Sequence, residues 1–309
     1  MMSVTTTHEI EVPVAADTVY EFLADVENWA DVFPPTVHAR RETLEGNTET
    51  IQIWATVKGS VRNWTSTRIF DSEEKKIQFA QAKVAPPASA MTGVWKVSPI
   101  NDDTCQVSLI HHFDAGTPEE IEFIRNAVDF NSARELEAIT KVFNPSHGRR
   151  LYHRTEDEYT IDSTPDEAFA FLLEAESWPH RIPHVADAEL TRFDEGGEYL
   201  KLTTRSPDGS THQTGSYRVE LPGRRLVYKQ DHTPGALISH RGEWQVDEVS
   251  GRTRVTSIHH FGVSEASIEN MLGPGVSLDE AVDLVAKSLV LNSATTIKTI
   301  DQWTQSVGK

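Results

Sequence analysis

The chain has 309 residues, of which 38% are hydrophobic and 25% charged, and its formal net charge is −18. These values are typical of a globular protein with about two domains, and the negative charge argues against binding to nucleic acid or to an anionic membrane. The single cysteine, Cys105, excludes a disulfide framework and a thiolate metal cluster. Because neither a membrane-spanning run nor a signal segment is recognisable, we expect a cytoplasmic protein.

The first half of the chain begins with a strand from Glu9 to Val12, followed by a short amphipathic helix from Asp17 to Ala24. A further helical turn starts at Trp29 and is stopped by Pro34. Six β-like runs follow, near residues 37–44, 49–57, 61–70, 76–83, 91–97 and 104–113. A long helix is then predicted from Glu119 to Phe143, because Thr117 and Pro118 form a typical helix start.

The second half repeats this pattern from Tyr159 and ends in a long helix from Leu278 to Trp303. Trp29 and Trp178 are 149 positions apart, and His111-His112-Phe113 returns 148 positions later as His259-His260-Phe261. A repeat of this length is a whole domain rather than a solenoid unit. We therefore predict an N-terminal domain over residues 1–144, a linker over 145–154 and a C-terminal domain over 155–309.

The order of elements predicts an α+β fold with two tandem domains. In each domain an antiparallel sheet of about seven strands curls around the long C-terminal helix. A shell of this kind often encloses a cavity, and such cavities bind apolar or mixed ligands.

Strand alternation sorts the candidate lining residues. In the last strand of the first domain His111 shares a face with apolar residues, so it points inward and His112 points outward. The strand before it places Met91 and Trp95 inside. The corresponding inner residues of the second domain are His240, Trp244 and His259.

Helical spacing places Asn131 on the apolar stripe of the first long helix and Asn292 on that of the second. A polar residue at such a position needs a partner or a wet cavity. Alternation does not decide whether Arg68 points inward, because both faces of its strand are equally polar. Each candidate also fits a structural role: the tryptophans and histidines as core residues, Asn131 bonded to a strand, and Arg68 on the surface.

Several kinds of chemistry are excluded by missing motifs. The chain has no GxGxxG or GxxxxGK[ST] phosphate loop, no GxSxG nucleophile elbow and no HExxH metal motif. We expect neither a metal nor another cofactor. Catalysis would have to come from His, Arg, Asn, Ser, Thr and water in an enclosed pocket, a set that suits enolisation, aldol closure and dehydration of carbonyl compounds.

The chain resembles the di-domain aromatase/cyclases of bacterial type II polyketide synthases, which are tandem helix-grip, START/Bet v 1-like domains. The resemblance covers nearly the whole chain and is most specific in the first domain. It rests on Trp29-x-x-x-Phe33-Pro34, Trp64-Thr65-Ser66-Thr67-Arg68, Met91-x-x-x-Trp95, His111-His112-Phe113 and Asn131-Ser132-Ala133-Arg134.

This resemblance implies that a poly-β-ketone, tethered to an acyl carrier protein of a polyketide synthase, is cyclised between C7 and C12 and then aromatised. By motif position Arg68 would anchor a ketone, Ser66 would bind the substrate, and Asn131 would orient a carbonyl or water. Pocket walls in the first domain would come from Trp29, Trp64, Met91, Trp95 and Thr36. The second-domain pocket would contain Trp178, Arg218, His240, Trp244, His259 and Asn292.

One position departs from the family pattern, because single-domain relatives carry a tyrosine where this chain has Thr36. We hypothesise that His111 replaces that tyrosine as the acid, with a pKa near the working pH.

Two other functions remain open at this stage: a carrier of a hydrophobic small molecule without catalysis, and a structural subunit that steers a synthase complex. The division of labour between the two domains is also open, and we expect the first domain to have the better-preserved pocket.

Overall fold

The computed structural model describes residues 2–144, 148–194, 196–205 and 209–307. The chain divides into two compact units, Met1–Gly148 and Arg149–Lys309. Each unit contains one seven-stranded antiparallel sheet and ends in a long helix. The predicted α+β class and the duplicated helix-grip architecture are confirmed.

The first domain starts with β1 (Met2–Val12), α1 (Ala16–Ala24), a 3₁₀ turn (Val26–Asn28) and α2 (Trp29–Val32). Its remaining strands are β2 (Thr36–Glu45), β3 (Thr48–Val57), β4 (Ser60–Asp71), β5 (Lys76–Gln81), β6 (Ala90–Asn101) and β7 (Thr104–Ala115), followed by helix α3 (Pro118–Phe143). The strand order is β1-β7-β6-β5-β4-β3-β2.

The second domain starts with β8 (Arg150–Ile161), α4 (Pro165–Leu173), a 3₁₀ turn (Ala175–Ser177) and α5 (Trp178–Arg181). Its remaining elements are β9 (Val185–Arg192), β10 (Glu198–Arg205), β11 (Thr211–Leu221), β12 (Arg225–His232), β13 (Ser239–Val249), β14 (Arg252–Ser264), α6 (Glu265–Leu272) and α7 (Leu278–Val307). The strand order, β8-β14-β13-β12-β11-β10-β9, reproduces that of the first domain.

Two predicted boundaries are wrong. β1 begins at Met2, well before the predicted strand, and it pairs with β7 along its whole length, from Met2↔Ala115 to Val12↔Cys105. Residues 150–154 of the predicted linker belong to β8, where they pair with β14; residues 145–147 lie outside the described residues. Both segments are polar and alternate in exposure, so neither carries the apolar signal of a buried strand.

The second domain is longer than the first between its last strand and its long helix, where it contains helix α6 and a loop at Gly273. Ser264 caps this helix in a reciprocal pair of bonds with Ser267. The helix packs Ile268 into a small apolar cluster with Phe261, Val263 and Leu278.

The predicted alternation of the strands is confirmed. Cys105, Val107 and Leu109 of β7 are buried, whereas His112 is exposed and its Nδ1 contacts the Thr5 hydroxyl at 2.7 Å. In β4 the inner residues are Ser66 and Arg68, together with the partly buried Trp64 and Phe70. The sheet therefore presents one side to the core and to the long helix.

Among the described residues no helix is long and apolar enough to cross a membrane.

Candidate functional site

Arg68 points into the first domain and is fully buried. Directly opposite on β3 lies Glu49, whose Oε1 accepts a bond from Arg68 Nε at 2.7 Å. The two terminal nitrogens donate to the carbonyls of Leu23 and Ala24 at 2.8 and 2.6 Å, at the C-terminal end of α1. The alternative that Arg68 is a surface residue is wrong, and its guanidinium joins the sheet to the end of α1.

A similar but less complete arrangement occurs in the second domain, where Nη1 of Arg218 is buried without a hydrogen-bond partner. Arg218 of β11 lies opposite Glu198 of β10, with 3.1 Å between Nε and Oε1. Its Nη2 donates to the Leu172 carbonyl at 2.6 Å, near the end of α4. Burial lowers the pKa of Arg218 to about 10, so the group stays charged at neutral pH.

A tryptophan ring covers each arginine. The guanidinium carbon of Arg68 lies 5.1 Å from the ring centre of Trp29, and that of Arg218 lies 5.5 Å from the ring of Trp178. Because the ion pair, the helix carbonyl and the tryptophan all recur, this arrangement is part of the framework of both domains.

Buried aromatic rings pack against one another in the core of the first domain. Trp29 packs edge-on against Phe33, and Phe33 stacks on Trp95 with 6.1 Å between ring centres. Trp64 of β4 is half-buried, and Thr36 at the start of β2 is buried. The predicted pocket tryptophans are thus inside, and Trp29 and Trp95 belong to the packed core.

Helix α3 turns a slightly different face inward from the one predicted. Ser132 is 1% exposed, whereas Asn131 is only half-buried at the edge of the inner stripe. Glu135 lies four residues after Asn131 and four before the buried Ile139, so it faces the sheet. The protein around its carboxylate excludes solvent and raises its pKa from 4.5 to about 7. Glu135 keeps some accessible surface nonetheless.

In α7 the predicted stripe is also displaced by one position. Asn292 is exposed, so its predicted place in the second-domain pocket is wrong, and Ser293 is buried in its stead. Both residues fit a broad stripe with a period of 3.6, and only packing against β14 decides which of them turns inward.

His111 lies on the inner face of β7, edge-on to Phe79, with Nδ1 buried and without a hydrogen-bond partner. Burial, together with the neighbouring histidines His8 and His112, lowers its pKa from 6.5 to about 4. The predicted pKa near the working pH is wrong. The ring is neutral at pH 7, so it can accept a proton or a hydrogen bond but is not a cationic acid.

The second domain contains a cluster of polar side chains that are connected by hydrogen bonds. His259 Nδ1 lies 2.9 Å from the Tyr228 hydroxyl and 3.1 Å from Nε2 of His240. On its other side, His259 Nε2 contacts the hydroxyl of Ser293 at 2.8 Å and that of Ser257 at 3.2 Å. The predicted histidines are therefore brought together, whereas Trp178 and Trp244 form part of the apolar core.

Burial holds the members of this cluster neutral. It lowers the pKa of His240 to about 3 and that of His259 to about 4, with a further contribution from neighbouring histidines. It also raises the pKa of Tyr228, whose side chain keeps some accessible surface. The tyrosine hydroxyl thus stays protonated and can donate to His259 Nδ1 in the tautomer that leaves this nitrogen without a proton.

Glycines make room for the key aromatic rings. A Cβ atom on Gly93 of β6 would lie 2.2 Å from Cζ of Phe79, and one on Gly242 of β13 would lie 2.3 Å from the Tyr228 hydroxyl. In each domain the ring crosses directly over the neighbouring strand at the position that lacks a side chain.

Five residues of these two sites were not predicted from the sequence: Glu49, Glu135, Tyr228, Ser257 and Ser293. Glu135 carries a detectable signal, because it falls seven residues after Val128 and four before Ile139. The other four depend on strand register or on contacts between distant segments, which periodicity does not reveal. In the described parts of the chain, no group of three or more His, Cys, Asp or Glu side chains is arranged to hold a metal ion.

The fold and the two polar interiors define a protein with tandem helix-grip domains. A family model described as polyketide cyclase/dehydrase and lipid transport matches residues 1–144 and 152–289. The bifunctional cyclase/dehydratase of the granaticin polyketide synthase from Streptomyces virginiae is 36% identical over 292 residues, which cover 93% of this chain and 95% of that protein.

The corresponding enzyme of the actinorhodin polyketide synthase from Streptomyces coelicolor is 32% identical, with 94% of each chain covered. The crystal structure of the di-domain aromatase/cyclase BexL, from the BE-7585A biosynthetic pathway, superposes with a TM-score of 0.84 at 36% identity and covers 97% of this chain and 98% of that one. For StfQ, from the steffimycin pathway, the TM-score is 0.82 at 25% identity, with coverage of 98% and 99%.

This chain belongs to the polyketide cyclase/dehydrase family, as a member with two domains. The predicted aromatase/cyclase activity is confirmed at the level of this class.

Proposed function

We propose that the first domain closes the first ring of a poly-β-ketone, between C7 and C12, while the chain is tethered to an acyl carrier protein. Dehydration to an aromatic ring then follows. The relatives are described as parts of polyketide synthases, which supports a carrier-bound substrate and contact with other synthase subunits. The cytoplasmic location stays a prediction.

The proposal rests on the position of Glu135 on α3 and on its raised pKa. Aldol closure requires a base that removes a proton from a methylene between two carbonyls and an acid that protonates the new alkoxide. A carboxyl group with a pKa of about 7 is matched to both tasks near neutral pH. Its position on the inner face of α3 places it against the sheet rather than in bulk solvent.

The other predicted residues fit supporting roles around this carboxylate. Asn131, one turn before Glu135, would orient a carbonyl, and Ser66 on β4 would donate a hydrogen bond to the substrate. His111 is neutral and has a free Nδ1, so it would bind an enol or hydroxyl proton. Met91, Trp64 and Trp95 would limit how the chain folds, since selecting one ring closure is mainly a matter of positioning.

We assign Arg68 a positioning role instead of direct contact with a ketone. Each of its three nitrogens already donates to an acceptor in the protein, and the side chain is fully buried between the sheet and the end of α1. By fixing the end of α1 against β3 and β4, Arg68 would hold Ser66 and Trp29 in place.

A carrier of hydrophobic molecules is the competing function. A carrier gains nothing from a carboxylate that costs free energy to keep ionised in the interior. Glu135, with Asn131 beside it, therefore favours catalysis over transport, and over a purely structural subunit as well.

The test is Glu135→Gln in the full chain, reconstituted with a minimal polyketide synthase. We expect ring closure at C7–C12 to fall by about 10²–10⁴-fold, as for loss of a general base, and the remaining activity to lose its dependence on a group with a pKa near 7. Glu137→Gln is the matched control, because Glu137 lies on the same helix, is exposed and pairs with Lys141. Equal product yields from wild type and Glu135→Gln would refute the proposal.

A further inference from the structure

The second domain buries five hydrogen-bonding side chains where the first domain has mostly apolar ones. Counting along the repeat, Tyr228 corresponds to Phe79, His240 to Met91 and Ser257 to Leu109, while His259 and Ser293 correspond to His111 and Ser132. The first domain folds with the apolar set, so the polar set is not needed for the fold. Burying it carries a cost that hydrogen bonds only offset.

The cluster does not satisfy its own hydrogen-bonding capacity. His259 Nδ1 offers either one lone pair or one proton, and yet both the Tyr228 hydroxyl and His240 Nε2 lie within bonding distance of it. When Tyr228 donates to this nitrogen, His240 has no comparable partner there. The second nitrogen of His240, Nδ1, is buried without a partner, while the side chain as a whole is only 5% exposed. A buried nitrogen of this kind points to a polar ligand.

Resting on the proposed function, we propose that Tyr228, His240 and His259 form a second reaction site, at which the ring-closed β-hydroxy ketone loses water. The first domain would make the carbon–carbon bond, and the second would carry out the dehydration.

The step balances as follows. His240 Nδ1 takes the proton from the carbon next to the ketone, and the electrons of that C–H bond form the new C=C bond. The C–O bond breaks, and the leaving hydroxide takes the proton of Tyr228 to become water, since hydroxide is a stronger base than a phenolate.

The proton that Tyr228 has lost is then replaced by way of one atom, His259 Nδ1. His240 Nε2–H gives its proton to His259 Nδ1, which passes it to the Tyr228 oxygen 2.9 Å away. No net charge remains in the buried cluster, which matters because burial disfavours every charged form of it. His240 ends in its other tautomer, and exchange with water after product release resets it.

Ser293 and Ser257 serve as positioning residues. Their hydroxyls contact His259 Nε2 and each other, at 2.9 Å, and keep its Nδ1 aimed at Tyr228. The matching position in α3, Ser132, has a buried hydroxyl with no partner, so the first domain lacks this support.

The repeat supplies the test variants. Tyr228→Phe and His240→Met install the residues that the first domain carries at the same positions, so both are expected to fold, as checked by circular dichroism. In the reconstituted synthase we expect ring closure at the wild-type rate and dehydration slowed by about 10²-fold or more. By mass spectrometry, a ring-closed alcohol heavier than the wild-type product by one water should accumulate.

His260→Gln is the matched control, because His260 follows His259 on the opposite face of β14. It should leave ring closure unchanged and alter dehydration far less than Tyr228→Phe or His240→Met, because its effect on the two inner histidines is secondary to that of burial. If Tyr228→Phe and His240→Met both dehydrate at the wild-type rate, or if they abolish ring closure itself, the second-site assignment is wrong. Failure of the proposed function is a separate outcome: the wild-type chain would then not change the products of the minimal synthase at all.

Discussion

The two domains share a framework but differ in the chemistry of their interiors. Both contain the buried glutamate–arginine pair, the tryptophan over the arginine, the inner histidine of the last strand and a glycine beneath an aromatic ring. The first interior combines an acidic group, Glu135, with Phe79 and Met91. The second replaces Glu135 with Thr296 and builds a neutral tyrosine–histidine–serine cluster. Duplication thus preserved what holds the sheet and helices together, while the lining diverged.

The largest expected effect concerns the shared framework. Arg68→Met removes the buried partner of Glu49 together with the bonds to the Leu23 and Ala24 carbonyls, and it leaves this buried carboxylate only the partly exposed Arg41. It should therefore lower the free energy of unfolding by about 3 kcal/mol. Arg218→Met should cost less, about 1–3 kcal/mol, because the side chain of its partner Glu198 is 13% exposed while that of Glu49 is 0% exposed. Calorimetry on the full chain measures both.

Arg41→Met is the control for this comparison, because Arg41 also contacts Glu49 but is itself partly exposed. It should have a much smaller effect than Arg68→Met. Equal destabilisation by Arg68→Met and Arg218→Met would mean that burial of the acidic partner does not set the cost.

A second prediction uses the opposite pH responses of the two interiors. The pKa of Glu135 is raised from 4.5 to about 7, so its contribution makes the protein less stable as pH rises through this range, with the full cost present above about pH 7. The pKa of His240 is lowered from 6.5 to about 3, so its contribution reduces stability as pH falls below 6.5.

We therefore expect Glu135→Gln to raise the free energy of unfolding at pH 8 by about 1–3 kcal/mol, reduced from the full shift because the group retains some exposure. This gain in the free energy of unfolding should vanish near pH 4.5, because Glu135 is then protonated in the folded protein and has no buried charge. His240→Met should instead flatten the loss of stability between pH 7 and pH 5. Urea denaturation at each pH tests this, and parallel pH curves for wild type and both variants would contradict it.

The smallest effect concerns the first helix of each domain. Thr164 caps α4 and forms a reciprocal pair of bonds with Glu167, whereas the equivalent residue before α1 is Ala15, with no side-chain cap. Thr164→Ala should cost about 1 kcal/mol, and Ala15→Thr should gain at most about that amount. The midpoint of thermal unfolding is sensitive enough to rank the two, and a loss on Ala15→Thr would contradict the assignment.

Much of the fold could be predicted because it depends on local patterns. Alternation placed His111, His259 and Trp95 inside, and the start of α3 followed from Thr117 and Pro118. Because the two halves of the sequence align, each of these predictions could be made once in each domain. Periodicity failed where two adjacent residues fit one stripe, as with Asn131 and Ser132. It also failed at the polar edge strands β1 and β8, whose pairing is decided by their neighbours.

The candidate sites were harder to predict for a different reason. Glu49 and Arg68 become partners only through strand register. Tyr228 of β12 contacts His259 of β14 across the intervening strand β13. The inward direction of Arg68 follows from this pairing, since neither face of β4 is distinctly apolar. A charged residue on an inner stripe, as at Glu135, was the one direct signal available in the sequence.

The glycines beneath Phe79 and Tyr228 have a consequence for how such a pair of interiors can diverge. Because each ring is seated by the backbone of the adjacent strand, the route of its side chain is fixed before any polar neighbour is considered. Exchanging phenylalanine for tyrosine then adds one oxygen atom at a place that the main chain has already determined. A new proton donor can arise there in a single substitution, without repacking the wall that holds it.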